Sequence, residues 1–155
     1  MTVQQDGKVI QEKWWDLKSE IQKHPQINNP VEWFRETFDD SVKLRMVSDV
    51  PVGILLSGGI DSSSILASLY RQNYKNIESF NVGFKEEEHN ESHLAKMLSE
   101  KLDYSFQTMK LEGENLYNSL LSSTYFQDEP IMHLSEPHLL ALSQKAATSV
   151  KVLLS

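Results

Sequence analysis

The run of residues 52–56 restricts the fold more than any other segment, because it is apolar throughout apart from one glycine. Its length and composition predict a β-strand. A strand with one face in solvent alternates apolar and polar residues, whereas a strand covered on both faces has no need to alternate. We therefore expect residues 52–56 to form a central strand of a parallel sheet.

Elsewhere in the chain, strand patterns alternate with helical patterns. Further strands are predicted at residues 78–84, 104–109 and 150–154. Helices are predicted at about residues 12–22, 30–46, 60–73, 114–126 and 137–148, with one more that Asn90 caps and that carries Leu94, Ala95, Leu98 and Leu102. This alternation indicates an α/β fold in which helices flank a parallel sheet on both faces.

The polar residues 1–29 are expected to form an irregular lead-in that contains only the helix at residues 12–22. Asn29, Pro30 and Glu32 then predict the start of the next helix, with Asn29 as its cap. That helix carries one apolar stripe, formed by Val31, Phe34, Phe38 and Val42.

The composition excludes several classes of protein. The 155 residues carry a formal charge of −7 at pH 7, which disfavours a general nucleic-acid-binding surface. The chain has no cysteine, so disulfides, thiolate zinc sites and a cysteine nucleophile are excluded. The first residues lack the pattern of a signal peptide, and no apolar run approaches the roughly 20 residues that span a bilayer. We expect a cytoplasmic protein without nucleic-acid or membrane partners.

A loop rich in glycine and serine joins the first predicted strand of the sheet to the next helix. It reads Ser57-Gly58-Gly59-Ile60-Asp61-Ser62-Ser63. In open parallel sheets, ligands bind at the carboxyl ends of the strands. Glycine permits a close approach that a β-carbon would block, and the N–H groups that begin a helix favour an anion. These features predict a phosphate-binding loop with serine hydroxyls as further donors.

This loop differs from three common motifs. It lacks the lysine of the Walker loop and the G-x-G-x-x-G spacing of the dinucleotide fingerprint. It also lacks a serine framed as G-x-S-x-G, which a nucleophile elbow requires. The phosphate-binding prediction therefore concerns another class of loop.

Asp61 would repel a phosphate unless a cation lay between them. Magnesium is bound by one or two carboxylates together with phosphate oxygens. We therefore interpret Asp61 as a magnesium ligand, directly or through water, in a site for the pyrophosphate part of ATP. The alternative is that Asp61 only stabilises the first turn of its helix through the helix dipole.

At this point the sequence resembles the synthetase domain of the glutamine-dependent asparagine synthetases, a family of PP-loop ATP pyrophosphatases. The resemblance covers residues 12–155 and rests on an ordered set of segments. These are Trp15-Asp16-Leu17, residues 44–53, the loop Ser57 to Ser63, residues 79–84, Asn90-Glu91-Ser92 with Ala95, and Asp128-Glu129-Pro130. It implies a PP-loop (adenine nucleotide alpha hydrolase-like) fold, present here in part.

The resemblance also implies a set of site residues. Leu55 and Val82 would hold the adenine and ribose region of ATP through backbone groups. The phosphates would lie against Ser57, Gly58, Gly59, Asp61, Ser62 and Ser63. Asp61, which also holds magnesium, is the one candidate catalytic residue. Ser155 would begin the family's next nucleotide-contacting motif, S-G-x-G-x-D-E, and Asp128 and Glu129 would form its acidic loop, although an exposed turn explains these two acids equally well.

The implied reaction is the adenylation of a carboxylate, that of the aspartate side chain in the type case. Ammonia derived from glutamine then displaces AMP to give an amide. On this interpretation residues 1–29 lead in from a missing glutaminase domain, and residues 30–155 are the N-terminal part of the synthetase domain. We expect the fragment alone to be inactive and to bind Mg-ATP weakly or not at all. The resemblance leaves open a homodimer.

The sequence is also compatible with other functions. Residues 103–106 depart from the Gly/Thr-His segment that is common in the family, so the acid could be another carboxylate, as in β-lactam synthetases or lasso-peptide cyclases. A PP-loop enzyme of tRNA thiolation and a non-catalytic nucleotide-binding remnant are further alternatives. His89 and His93, four residues apart, could form a zinc pair, but a solvated helix start explains them better.

Overall fold

The computed structural model describes residues 1–23, 27–83, 91–110, 113–133 and 135–155. The strands are β1 (Thr2–Val3), β2 (Val9–Ile10), β3 (Val52–Leu55), β4 (Glu78–Gly83), β5 (Ser105–Lys110) and β6 (Val152–Leu154). The helices are α1 (Leu17–Lys23), α2 (Pro30–Arg45), α3 (Ile60–Arg71), α4 (Ser92–Lys101), α5 (Gly113–Gln127) and α6 (Ser135–Ala146). No helix among the described residues is long and apolar enough to cross a membrane.

The chain divides into two compact units, Met1–Glu36 and Thr37–Ser155. In the first unit, β1 and β2 pair antiparallel around a turn at Gly7, which has a φ of +83°. The sequence did not predict this hairpin, because strands of two residues are too short to show a period. The domains predicted at residues 1–29 and 30–155 stay predictions.

The helix predicted at residues 12–22 begins later than expected, at Leu17. The reason is a cap, since the Asp16 carboxylate accepts a hydrogen bond from the Ser19 backbone N–H at 3.0 Å. The start of α2 is confirmed, because the side-chain oxygen of Asn29 accepts a hydrogen bond from the Glu32 N–H at 3.4 Å.

The apolar stripe predicted for α2 is only half correct. Phe38 and Val42 pack in the core, whereas Val31 and Phe34 are exposed. Periodicity therefore identified the helix but not the length of its buried face.

In the second unit, four strands form one parallel sheet in the order β5-β4-β3-β6. The strand predicted at residues 52–56 is central, as expected, with Leu55 beside Phe80 and Ile54 beside Leu154. All four predicted strands are present, although β6 begins at Val152 rather than at Val150. Phe84 and Asn90, the predicted strand end and helix cap, lie outside the described residues.

Each face of the sheet has its own apolar cluster, which confirms the prediction of helices on both faces. On one face Ile54 and Leu56 pack with α2, α3 and α4 through residues such as Val42, Leu66 and Ala95. On the other, Leu55, Phe80, Val82, Met109 and Leu153 pack against Leu142 and Ala146 of α6. Because β3 is covered on both sides, it cannot alternate polar and apolar residues.

A polar network joins α2 to α3 and so fixes the helix that follows the glycine loop. The Asp39 carboxylate accepts hydrogen bonds from the Ser68 hydroxyl and the Arg71 guanidinium. The Gln72 side-chain amide donates to the Asp39 backbone carbonyl at 2.8 Å. Asp39 of α2 therefore makes three hydrogen bonds that hold the C-terminal end of α3.

Candidate functional site

A cleft of about 280 Å³ opens at the carboxyl ends of β3 and β4. This is the edge at which parallel sheets bind ligands. The walls come from β3 and its loop, from β4, from the start of α4 and from α6. The lining residues are Leu55, Leu56, Ser57, Phe80, Asn81, Val82, Glu91 and Leu142. Two predicted nucleotide contacts, Leu55 and Val82, thus line one cleft together with Ser57.

The glycine loop between β3 and α3 is held by its own serines. The hydroxyls of Ser57 and Ser62 lie 3.0 Å apart, and the Ser57 backbone N–H donates to the Ser62 hydroxyl at 3.2 Å. The Gly59 N–H donates back to the Ser57 hydroxyl at 3.2 Å. The two hydroxyls that the sequence assigns to phosphate therefore also fix the curvature of the loop.

Gly58 adopts a φ of +97°, a conformation that side chains disfavour. A β-carbon placed there would lie 2.6 Å from the Glu91 carbonyl oxygen and 3.4 Å from the Ala95 nitrogen. Backbone conformation and packing against α4 both require glycine here. The loop thereby passes closer to the start of α4 than any side chain would allow.

The first turn of α3 has the features of an anion site. The cap residue Gly59 has an extended backbone and makes no side-chain cap hydrogen bond. The N–H groups of a first helical turn have no partner within the helix, so they are available to an anion. Ser62 and Ser63 lie in this turn and are half-buried.

Asp61 lies in the same turn, and its side chain is exposed. Among the described residues, no group of three or more His, Cys, Asp or Glu side chains is arranged to hold a metal ion. A magnesium ion that takes most of its ligands from phosphate and water needs only one or two carboxylates. An exposed Asp61 next to the glycine loop fits that kind of site, and it would not fit a metal cage made wholly of protein.

Asn81 is a site residue that the sequence reasoning missed. It is only 3% exposed, and its side-chain N–H₂ donates to the Leu56 carbonyl at 2.6 Å. Its side-chain oxygen accepts from the hydroxyls of Ser92, at the start of α4, and Thr108 on β5. The Leu56 N–H still donates to the Phe80 carbonyl at 2.8 Å, and beyond it the Asn81 amide supplies the partner of the Leu56 carbonyl where the cleft opens.

Besides Asn81, four residues of the cleft lining had no predicted role in binding, namely Leu56, Phe80, Glu91 and Leu142. The available signal for Asn81 was a polar residue between the apolar Phe80 and Val82 of a strand predicted to be buried. Nothing in the spacing pointed to Leu142, because its place depends on how α6 packs on the sheet. Glu91 was recognised only as part of a segment that carries the resemblance.

The other predicted site residues lie apart from the cleft lining. Ser155 follows β6 at the same edge of the sheet, where it lines a separate cavity of about 200 Å³ with Arg45 and Ile65. Asp128 and Glu129 follow α5 and are exposed, and Asp128 has a φ of +57°. A residue with left-handed backbone conformation directly after a helix is typical of a helix end. This favours the interpretation of Asp128 and Glu129 as an exposed turn. Of the histidine pair, His89 lies outside the described residues and His93 is exposed.

Comparisons with known proteins agree with this architecture. The asparagine synthase family model matches residues 33–155. Asparagine synthetase [glutamine-hydrolyzing] 1 of Bacillus subtilis is 33% identical over 81% of the chain, and Amidase chyE of Penicillium rubens is 30% identical over 94%. The chain spans 20% and 24% of the length of these two relatives, respectively.

A solved structure supports the fold independently of close sequence similarity. The NH3-dependent NAD synthetase of Campylobacter jejuni superposes with a TM-score of 0.53 at 18% identity. The match covers 79% of this chain and 54% of that protein. The predicted PP-loop type of α/β fold is confirmed.

Proposed function

The chain belongs to the asparagine synthase family, and from that membership we propose that it is part of an ATP-dependent ligase that amidates the side-chain carboxylate of aspartate. One observation carries the proposal. The loop from Ser57 to Ser63 joins the cleft to an α3 N-terminus that has no side-chain cap, with Asp61 in its first turn. Backbone donors, hydroxyls and one carboxylate therefore lie together where a nucleoside triphosphate can bind.

In the proposed reaction, a carboxylate oxygen of aspartate attacks the α-phosphorus of ATP. The bond from that phosphorus to the bridging oxygen of the β-phosphate breaks, and pyrophosphate leaves with the electron pair. Ammonia then attacks the acyl carbon and loses a proton, and AMP leaves as the C–O bond breaks. Negative charge grows on the pyrophosphate in the first step, so fixed donors at the loop lower its barrier.

Each part of the loop has a distinct task in this scheme. The N–H groups at the start of α3 and the hydroxyl of Ser63 donate to the phosphates, and Gly58 and Gly59 let the backbone approach them. Leu55 and Val82 hold the adenine and ribose region. Magnesium, when bound, neutralises charge on the pyrophosphate, and Asp61 would hold it directly or through water.

Binding by the chain itself tests the loop assignment. Equilibrium dialysis with labelled ATP should detect weak saturable binding that magnesium strengthens at least about tenfold, because the cation offsets repulsion between Asp61 and the phosphates. Asp61→Ala should remove this dependence on magnesium, whereas Asp40→Ala, which changes an exposed aspartate of α2, should retain it. Equal affinity with and without magnesium in the unaltered chain would contradict the role of Asp61.

We assign amide synthesis to a longer protein of which this chain is a part, because the chain spans only a fifth to a quarter of the length of the curated relatives it matches. We propose that the chain alone does not form the amide. Turnover of aspartate to asparagine by the purified chain, with ATP and ammonium present, would overturn that statement.

A second candidate is amide formation on another carboxylate by the same adenylation, as in a β-lactam synthetase or a lasso-peptide cyclase. Two observations favour it. A relative that is 30% identical over 94% of the chain is named an amidase, and residues 103–106 depart from the family's usual segment. Saturable Mg-ATP binding that aspartate does not strengthen, while another amino acid does, would favour this candidate.

A further inference from the structure

Glu91 is the acidic residue in the lining of the cleft, and it lies against the glycine loop. It lines the cleft together with Leu55, Ser57 and Val82. Its backbone carbonyl oxygen lies 2.6 Å, and its Cβ 3.2 Å, from the position that a β-carbon on Gly58 would occupy. Glu91 therefore shares the cleft assigned to the base and also adjoins the loop assigned to the phosphates.

The position of this residue is fixed by its surroundings. Glu91 is the cap residue of α4, and its carbonyl accepts the Leu94 N–H at 2.9 Å. Its neighbour Ser92 donates to Asn81, which in turn donates to Leu56. The start of α4 is thus tied to the strand that leads into the loop, while Glu91 itself is exposed and lines the cleft.

The chemistry of a carboxylate limits what it can contact in this place. While ionised it accepts hydrogen bonds and donates none. Phosphate oxygens are also acceptors and carry like charge, so they would be repelled. The sugar of a nucleotide joins the base to the phosphates, and its hydroxyls are donors. In dinucleotide-binding folds, an acid roughly 20 residues beyond the glycine-rich turn accepts a hydrogen bond from a ribose hydroxyl, which shows that a carboxylate suits this part of a nucleotide.

We propose that the Glu91 carboxylate accepts hydrogen bonds from the ribose hydroxyls of ATP and makes the site selective for ribonucleotides. The inference rests on the proposed function, because it requires a nucleotide in the cleft. The rival role is that of a second magnesium ligand, since magnesium can take two carboxylates. The two roles differ in their dependence on the sugar and on the metal.

The test compares Mg-ATP with its 2′,3′-dideoxy analogue by equilibrium dialysis on the chain. The unaltered chain should bind ATP about tenfold more tightly or better, as expected for hydrogen bonds to a charged group. Glu91→Ala should reduce this ratio to near one. Glu100→Ala, an exposed glutamate on the same helix, should keep the ratio and serves as the control.

The ratio of the affinities for ATP and its dideoxy analogue, measured on one variant, does not depend on the fraction of that variant that is folded. General destabilisation by a substitution therefore does not mimic the predicted effect. A ratio of one in the unaltered chain, or a ratio kept in Glu91→Ala, overturns the inference. If Glu91→Ala keeps the affinity ratio but loses the dependence of binding on magnesium, Glu91 is a metal ligand, and the inference about the ribose is overturned as well. The sequence leaves open that the chain alone binds no Mg-ATP; that outcome would refute the weak binding proposed above for the glycine loop, and this inference would fall with it.

Discussion

Gly58 combines backbone conformation, packing and proposed ligand binding in one residue. Its φ of +97° and the 2.6 Å from a β-carbon site to the Glu91 carbonyl each disfavour any other residue. Gly7 offers a matched comparison, because it also has a positive φ, +83°, but has no atom within 4 Å of its β-carbon site.

Gly58→Ala should therefore destabilise the chain by at least about 1 kcal/mol more than Gly7→Ala, because the clash adds to the backbone strain. Urea denaturation of both variants measures the difference. Gly58→Ala should also weaken Mg-pyrophosphate binding, since the loop must shift. Equal losses of stability in the two variants would show that the contact with Glu91 does not constrain the loop.

Among the elements, β3, its loop and α3 were predictable from the sequence. The hydrogen bonds that Asn81 makes beside the loop were not. Residues 52–56 are apolar apart from Gly53, which indicates a buried strand. The glycines and serines from Ser57 to Ser63 indicate a turn followed by the start of a helix. The role of Asn81 depends on a hydrogen bond from its side chain to the carbonyl of Leu56, a residue 25 positions earlier in the chain. Such a pairing follows from sheet order, which no local pattern encodes.

The Asn81 amide is predicted to hold β3, β4 and α4 together at the cleft. Asn81→Leu should cost about 2–4 kcal/mol, because it leaves the Leu56 carbonyl and the Ser92 hydroxyl without this buried partner. Ser64→Ala removes only a hydrogen bond to the Ile60 carbonyl within α3 and should change stability by less than about 1 kcal/mol. Thermal denaturation of both variants measures the contrast. A loss below about 1 kcal/mol for Asn81→Leu would show that the amide does not support the cleft.

For the whole molecule, the alternation of strands and helices predicted an α/β fold with helices on both faces, and the structure confirms both. The strand order β5-β4-β3-β6 was not predicted, because alternation fixes the direction of strands but not which ones are neighbours. The hairpin of β1 and β2 was missed for lack of any period. Of the predicted site, Leu55, Ser57 and Val82 share the cleft, whereas Asp128 and Glu129 are not among its lining residues.

A crystal structure of the chain with Mg-ATP would show where the phosphates bind. We expect the β- and γ-phosphates to lie against the loop from Ser57 to Ser63, with magnesium within reach of Asp61 and the adenine between Leu55 and Val82. Phosphates bound at another part of the surface, away from Gly58 and Asp61, would refute the assignment of this loop to phosphate binding.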